Sequence, residues 1–163
     1  MLVYHGSNAV VEHPEIIFPN RGLDFGKGFY TTDSLDQAKR FAENIIKRRG
    51  GKSILNTYEF DYKEAKAKLN ICIFEKADEA WLDFIFSNRM SRYNENNVYD
   101  IIWGPVANDK VYRTLIFYEE GDLNKEQTLA ALMTSVLDNQ ITFYTEISLS
   151  YLNFIKSEVL ENE

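Results

Sequence analysis

The strand-forming runs of this chain are short and unevenly spaced, and that spacing limits the fold more than any other feature. Leu2-Val3-Tyr4, Phe29 to Thr32, Ile54 to Tyr62, Leu69 to Phe74, Tyr99 to Trp103 and Gln140 to Thr145 are rich in β-branched and aromatic residues. Gly6, Ser7 and Asn8 break the first of these, so it reads as a short strand ending in a tight turn. Gly104-Pro105 closes the fifth. Elsewhere apolar residues recur at helical spacing. Leu35, Ala38, Phe41, Ala42, Ile45 and Ile46 predict a helix capped by Asp33 or Ser34 and stopped by Gly50-Gly51, with Lys47, Arg48 and Arg49 where the helix dipole favours cations. Ala77 to Met90 predicts a helix docked by the face that Trp81, Phe84 and Ile85 make. Asn108-Asp109 caps a third helix running towards Glu120, Asn124 begins a fourth through Val136, and Glu146 to Lys156 reads as a final amphipathic helix. Regular βαβ alternation is absent, so the expectation is an α+β domain with a split, bent β-sheet core and flanking helices. With 163 residues and no internal repeat or linker, a single domain over residues 1–163 is expected.

Composition narrows the classes further. A chain that is 45% hydrophobic and 26% charged, with mean hydropathy -0.35, is neither disordered nor membrane-embedded. No stretch approaches ~18 consecutive apolar residues, and residues 1–10 lack the basic start and apolar run of a secretory leader, so a cytoplasmic protein without a membrane anchor is expected. The net charge of -7 disfavours nucleic acid as a partner. The single cysteine, Cys72, forbids an internal disulfide, and with two histidines it cannot complete an all-His/Cys zinc site, so no metal is expected.

Few residues carry chemistry. His5 stands beside Gly6, which allows close approach of a ligand to the backbone; a histidine bonded only to nearby backbone is the plainer alternative. His13, beside Pro14, reads as surface. From His13 to Gly28 two prolines and three glycines make a long loop region of the kind that often binds ligands. Gly26-Lys27-Gly28 lacks the third glycine and the preceding strand of a dinucleotide fingerprint, and Gly50-Gly51-Lys52-Ser53 has Ile46 where a phosphate-binding loop needs its first glycine. Cys72, between Ile71 and Ile73, reads as core, and Glu119-Glu120 with the acidic Glu158, Glu161 and Glu163 as solvated surface. Tyr4, Phe29 and Tyr30 flank the glycine-rich loop, where a minority of the aromatic rings could stack on a planar ligand.

Jointly, Tyr4-His5-Gly6-Ser7, the Arg21 to Asp24 stretch and Phe25-Gly26-Lys27-Gly28-Phe29-Tyr30-Thr31-Thr32 resemble the opening of an ADP-ribosyltransferase fold of the diphtheria-toxin and poly(ADP-ribose) polymerase type. A bacterial group of ADP-ribosyltransferase-like domains of unknown function is the closer resemblance, and it extends through Asp100 to Asp109, so that it spans nearly the whole chain. The resemblance implies an NAD site marked by a histidine on the first strand, a tyrosine on the next core strand and a glutamate on a later one. His5 and Tyr30 match the first two, and Gln140 stands at the third, its Gln140-Ile141-Thr142-Phe143 strand and following helix being similar to the family's closing elements. By the same resemblance His5 binds the adenosine-side ribose, the Gly6 backbone holds the nicotinamide amide, Ser7 assists at the ribose, Tyr30 stacks on the nicotinamide ring and Arg21 reaches the pyrophosphate.

The activity implied is mono-ADP-ribosyl transfer from NAD to an unknown acceptor, with a toxin or effector role and a neutralising partner protein as further implications. Transfer breaks the nicotinamide–ribose bond through an oxocarbenium-like state, so the site must orient the sugar and stabilise positive charge. Gln140 can bond a ribose hydroxyl but carries no negative charge and cannot act as a base. Glu146 supplies the carboxylate if the register is shifted, and a catalytically silent NAD or ADP-ribose binding module is the alternative reading.

Overall fold

A computed structural model describes residues 1–18, 24–90, 98–107, 109–135 and 137–161, residue 109 by its backbone alone. In chain order its elements are β1 (Leu2–Ser7), β2 (Phe29–Thr31), α1 (Leu35–Arg49), β3 (Ile54–Phe60), α2 (Tyr62–Lys68), β4 (Ile71–Ile73), α3 (Glu79–Met90), β5 (Ile101–Pro105), α4 (Asp109–Glu119), α5 (Lys125–Met133), β6 (Asn139–Phe143), α6 (Glu146–Leu149) and β7 (Leu152–Val159). The class is α+β. A three-stranded sheet has the order β1-β3-β7, and a four-stranded one β2-β6-β5-β4. The two meet where Tyr4 and Thr32 exchange backbone hydrogen bonds of 2.8 and 3.0 Å.

Strand alternation divides the interior into two cores. Val3, Phe29, Tyr58, Phe60, Ile101, Ile141 and Phe143 meet in the first, which joins the two sheets. Ile102 points the other way from Ile101 and packs with Phe25, Trp81, Leu82, Ile85, Leu115, Leu132 and Tyr144 in a second core between the four-stranded sheet and α3, α4 and α5. The Trp81 indole N–H donates to the Pro105 carbonyl at 2.8 Å, tying α3 to the end of β5. Helix α1 starts where the Ser34 hydroxyl accepts from the Gln37 N–H and ends at Gly50, as its sequence dictates. Among the described residues no helix is long and apolar enough to cross a membrane.

Four elements differ from the sequence expectation. Strand β1 does not stop at Tyr4 but runs on through Gly6 and Ser7, which pair with Leu55 and Ile54 of β3. Gly6 is a packing glycine rather than a turn: a Cβ there would sit 2.1 Å from the Ala38 carbonyl oxygen and 2.7 Å from the Ala42 nitrogen of α1. The expected helix from Glu146 to Lys156 is a single helical turn, α6, followed by strand β7, which pairs with β3 across a bulge at Thr57/Tyr58. Thr145 and Ser148 form a capping box that starts the turn, while Leu152 and Phe154 fit a period of two as well as one of 3.6, and the open edge of β3 decides for the strand. The charged stretch before β4 is helix α2, capped by Asp61. Finally β4 and β5 are parallel and joined across α3, a βαβ unit that the sequence pattern did not suggest, and β5 includes Gly104-Pro105 instead of ending before them. The polar loop expected at residues 91–97, the Asn108 cap and the Val136 helix end lie outside the described residues; α5 itself ends at Met133.

Candidate functional site

Strand β1 presents two faces. Tyr4 and Gly6 alternate to one, where α1 lies over Gly6, and Val3, His5 and Ser7 to the other. On that second face the His5 ring lies half-buried against Phe29, with centroids 4.6 Å apart at 33°. Its Nδ1 is 2.7 Å from the Tyr30 carbonyl oxygen. A carbonyl only accepts, so Nδ1 carries the hydrogen. Burial lowers the imidazole pKa, partly offset by this hydrogen bond, which leaves a neutral ring with an Nε2 lone pair. His5 follows Tyr4, whose bridge to Thr32 joins the two sheets.

The main chain around His5 is fixed by a residue that the sequence reading passed over. Asn56, on β3 directly opposite His5, is fully buried; its amide donates to the carbonyls of His5 at 3.3 Å and Ala9 at 3.1 Å and accepts from the Val11 N–H at 2.9 Å. An asparagine, a residue depleted in strands, inside a strand-forming run was the available signal. Ser7 is half-buried, and its hydroxyl oxygen accepts from the Ala9 N–H at 3.3 Å.

Tyr30 sits on β2 opposite Thr142 of β6. Its phenol donates to the Gly26 carbonyl and its ring packs on the second core. Burial, reinforced by Tyr144 and Asp24, raises its pKa well above the ordinary tyrosine value, so it stays a neutral donor. Gln140 lies on β6 opposite Gly104, half-buried, with its amide donating to Thr142 Oγ1 at 3.2 Å. Gln140 and Thr142 therefore share a strand face with Tyr30, while Ile141 and Phe143 face the first core.

His5, Tyr30 and Gln140 lie on neighbouring strands, but the structure does not bring their side chains to one face: the His5 ring lies against Phe29 of the first core and reaches only the Tyr30 carbonyl, whereas Tyr30, its register partner Thr142 and Gln140, whose amide donates to Thr142, share the opposite face. The contact of His5 is with the main chain of Tyr30, and its ring lies on the Phe29 side. Gly6 turns its Cα hydrogens to α1. Arg21 lies outside the described residues. Glu146, the alternative carboxylate, is exposed at the start of α6. His13 is exposed, and Cys72 is half-buried against the second core with its thiol pushed up by burial, which makes it a poor nucleophile.

A second polar cluster underlies the glycine loop, made of Asp24, Arg89 and Glu119; Glu119, expected with Glu120 to be solvated surface, is instead mostly buried because it pairs with Arg89, and only Glu120 is exposed. Arg89 of α3 bonds Asp24 Oδ1 at 3.2 Å, donates to Glu119 of α4 and lies 4.6 Å from the Tyr112 ring centroid. These charges are largely buried, with side-chain exposures of 8% for Arg89, 14% for Asp24 and 21% for Glu119. Burial raises the Asp24 pKa against the opposing pull of Arg89. A separate groove of about 840 Å³ runs between α1 and the end of β7, past Leu35, Ile46, Leu55 and Val159, on the α1 face opposite His5.

These features define an α+β protein with a half-buried histidine beside the join of its two sheets. A family model matches residues 1–154: the chain belongs to a family of proteins of unknown function, DUF3990. No curated protein matches it.

Proposed function

We propose that the chain is an NAD-dependent mono-ADP-ribosyltransferase acting in the cytoplasm on an acceptor still to be identified. The observation that carries this reading is the state of His5: Nδ1 is committed to the Tyr30 carbonyl, and the neutral Nε2 is left as an acceptor beside the Tyr4–Thr32 join of the two sheets. Such a group suits a ribose hydroxyl, which must donate. Ser7, on the same face, has a hydroxyl hydrogen to offer the same sugar. In the reaction the C1′–N bond of NAD breaks, nicotinamide leaves with the bonding pair, and an acceptor nucleophile attacks C1′ and loses its proton. Gln140 would bond the ribose 2′-hydroxyl, orienting the sugar without supplying charge. Tyr30 would offer its ring to nicotinamide, and the Gly6 main chain would hold the amide. Arg21 is assigned to the pyrophosphate on resemblance alone. A toxin or effector role, with a neutralising partner protein, belongs to the same reading.

The amide of Gln140 favours a second reading, a module that binds NAD or ADP-ribose without turnover. Nicotinamide release from NAD by the purified protein separates the two, with His5→Ala and Gln140→Glu alongside. Release that is lost in His5→Ala and raised in Gln140→Glu supports transfer limited by a missing carboxylate. Absence of release with retained NAD binding, lost in His5→Ala, supports the binding module, and absence of both refutes the site.

A further inference from the structure

We infer that Asn88 and Arg89, consecutive residues of α3, are positioning residues for Tyr30 and act through the 24–28 segment. Nothing in regular secondary structure holds that segment between Asp24 and Lys27, yet the Tyr30 phenol donates to its Gly26 carbonyl, so the place of the phenol depends on the place of the segment. Two side chains from α3 grip it. The Asn88 amide donates to the Asp24 carbonyl at 3.0 Å, and the Arg89 guanidinium bonds the Asp24 carboxylate while Glu119 takes its Nε–H. A guanidinium held on two sides by carboxylates and on its face by Tyr112 has little freedom to turn, and Asp24 inherits that rigidity. Phe25, fully buried in the second core, plugs the segment down between these polar anchors.

The fit is tight at Gly26. Its φ of +73° is a conformation that glycine adopts at no steric cost, and a Cβ there would come 3.2 Å from Asn88 Oδ1 and 3.7 Å from the Tyr144 hydroxyl. Asn88 Oδ1 and the Tyr144 hydroxyl are both buried and, among the described residues, have no hydrogen-bond partner. The polar groups beneath the loop thus converge on the residue whose carbonyl fixes Tyr30. An ion pair serving stability alone needs no such convergence, and a buried pair is in any case a weak stabiliser relative to apolar packing.

The test observes the phenol itself. In protein labelled with ¹³C at tyrosine Cζ, the Tyr30 signal is assigned by its loss in Tyr30→Phe. Asp24→Asn, an isosteric change, and Asn88→Ser and Arg89→Lys are then compared with Leu132→Ala, which destabilises the same core while leaving every polar side chain that grips the segment in place. Displacement or broadening of the Tyr30 signal in the first three, with Tyr58 and Tyr62 of the first core unmoved, is expected, and Leu132→Ala should leave Tyr30 in place. An unmoved Tyr30 signal in folded Asp24→Asn and Asn88→Ser overturns the inference, as does an equal displacement in Leu132→Ala. A second arm, which rests on the NAD reading, is NAD titration: a tenfold loss of affinity in Asp24→Asn, equivalent to about 1.4 kcal/mol, is expected. Wild-type protein that fails to bind NAD refutes that reading and leaves the spectroscopic result standing.

Discussion

Replacing Gly6 with alanine should cost more stability than any other Gly→Ala change open to this chain outside the glycine-rich loop, for a steric reason that can be sized. The added methyl would lie 2.1 Å from the Ala38 carbonyl oxygen, about 1.3 Å inside the 3.4 Å at which ordinary contact begins. The obstacle is helix backbone, so no side-chain rotation relieves it, and α1 must lift from β1 along the surface where Ala38 and Ala42 are buried. Overpacking of a rigid contact costs about 1–3 kcal/mol, and a clash with backbone belongs at the upper end. For a chain of this size each kcal/mol moves the melting temperature by about 2–4 °C, so Gly6→Ala should lose roughly 6–12 °C. Gly121 is the control: it closes α4 at φ +83° in the left-handed pattern in which its N–H reaches the Tyr118 carbonyl and the Asp122 N–H reaches that of Phe117, and nothing lies within 4 Å of the new methyl, so Gly121→Ala should cost only the roughly 1–2 kcal/mol of left-handed backbone. Urea denaturation followed by circular dichroism gives both values. If Gly6→Ala proves as stable as Gly121→Ala, α1 does not sit on β1 as described and the packing account of this glycine is wrong.

Three further results are expected. His5 has a folded pKa below its ordinary value near 6.5, so the unfolded chain takes up its proton first; the stability this residue contributes is whole above about pH 6.5 and falls as the pH is lowered through its folded pKa, and urea midpoints between pH 7.5 and 5 should lose that component in His5→Gln. Asn56→Ala should destabilise by about 2–3 kcal/mol, because two carbonyls and the Val11 N–H lose their partner, and should speed hydrogen exchange at the Val11 amide; unchanged exchange there would count against Asn56 as the anchor. Trp81→Phe should cost about 1 kcal/mol beyond its loss of apolar area, through the lost bond to the Pro105 carbonyl, and fluorescence-monitored unfolding of the variant reads it.

Elements whose signals are local were legible in the sequence: Ser34 and Gly50 bound α1 because a cap and a stop need no tertiary partner. The closing region was not, because Leu152 and Phe154 satisfy two periods and only β3, almost a hundred residues away, chooses between them. The same holds for the anchors of the candidate site. Asn56 could be noticed as an asparagine within a strand-forming run, but Asn88 and Arg89 look like ordinary helix surface until α3 is packed beneath residues 24–28. Arg89 meets its partners at separations of 65 and 30 residues, which no local pattern encodes.

The segment Tyr4-His5-Gly6-Ser7 shows why a motif can be recognised sooner than it can be interpreted. Its residues alternate across one strand, so they answer to two different demands. Gly6 has no side chain because α1 leaves no room for one, a requirement that any chain with this helix on this strand would share, whatever it binds. His5 and Ser7 face away from α1, and His5 is held by a main-chain carbonyl that would accept equally from any donor of the right reach. The packing therefore accounts for Gly6 in full but leaves the choice of histidine open. A glutamine or a lysine could occupy that carbonyl; a neutral ring that donates at one nitrogen and accepts at the other is a narrower specification. Within this motif the weight of a functional reading rests on His5 Nε2, with Ser7 beside it, and the conspicuous glycine adds little to it.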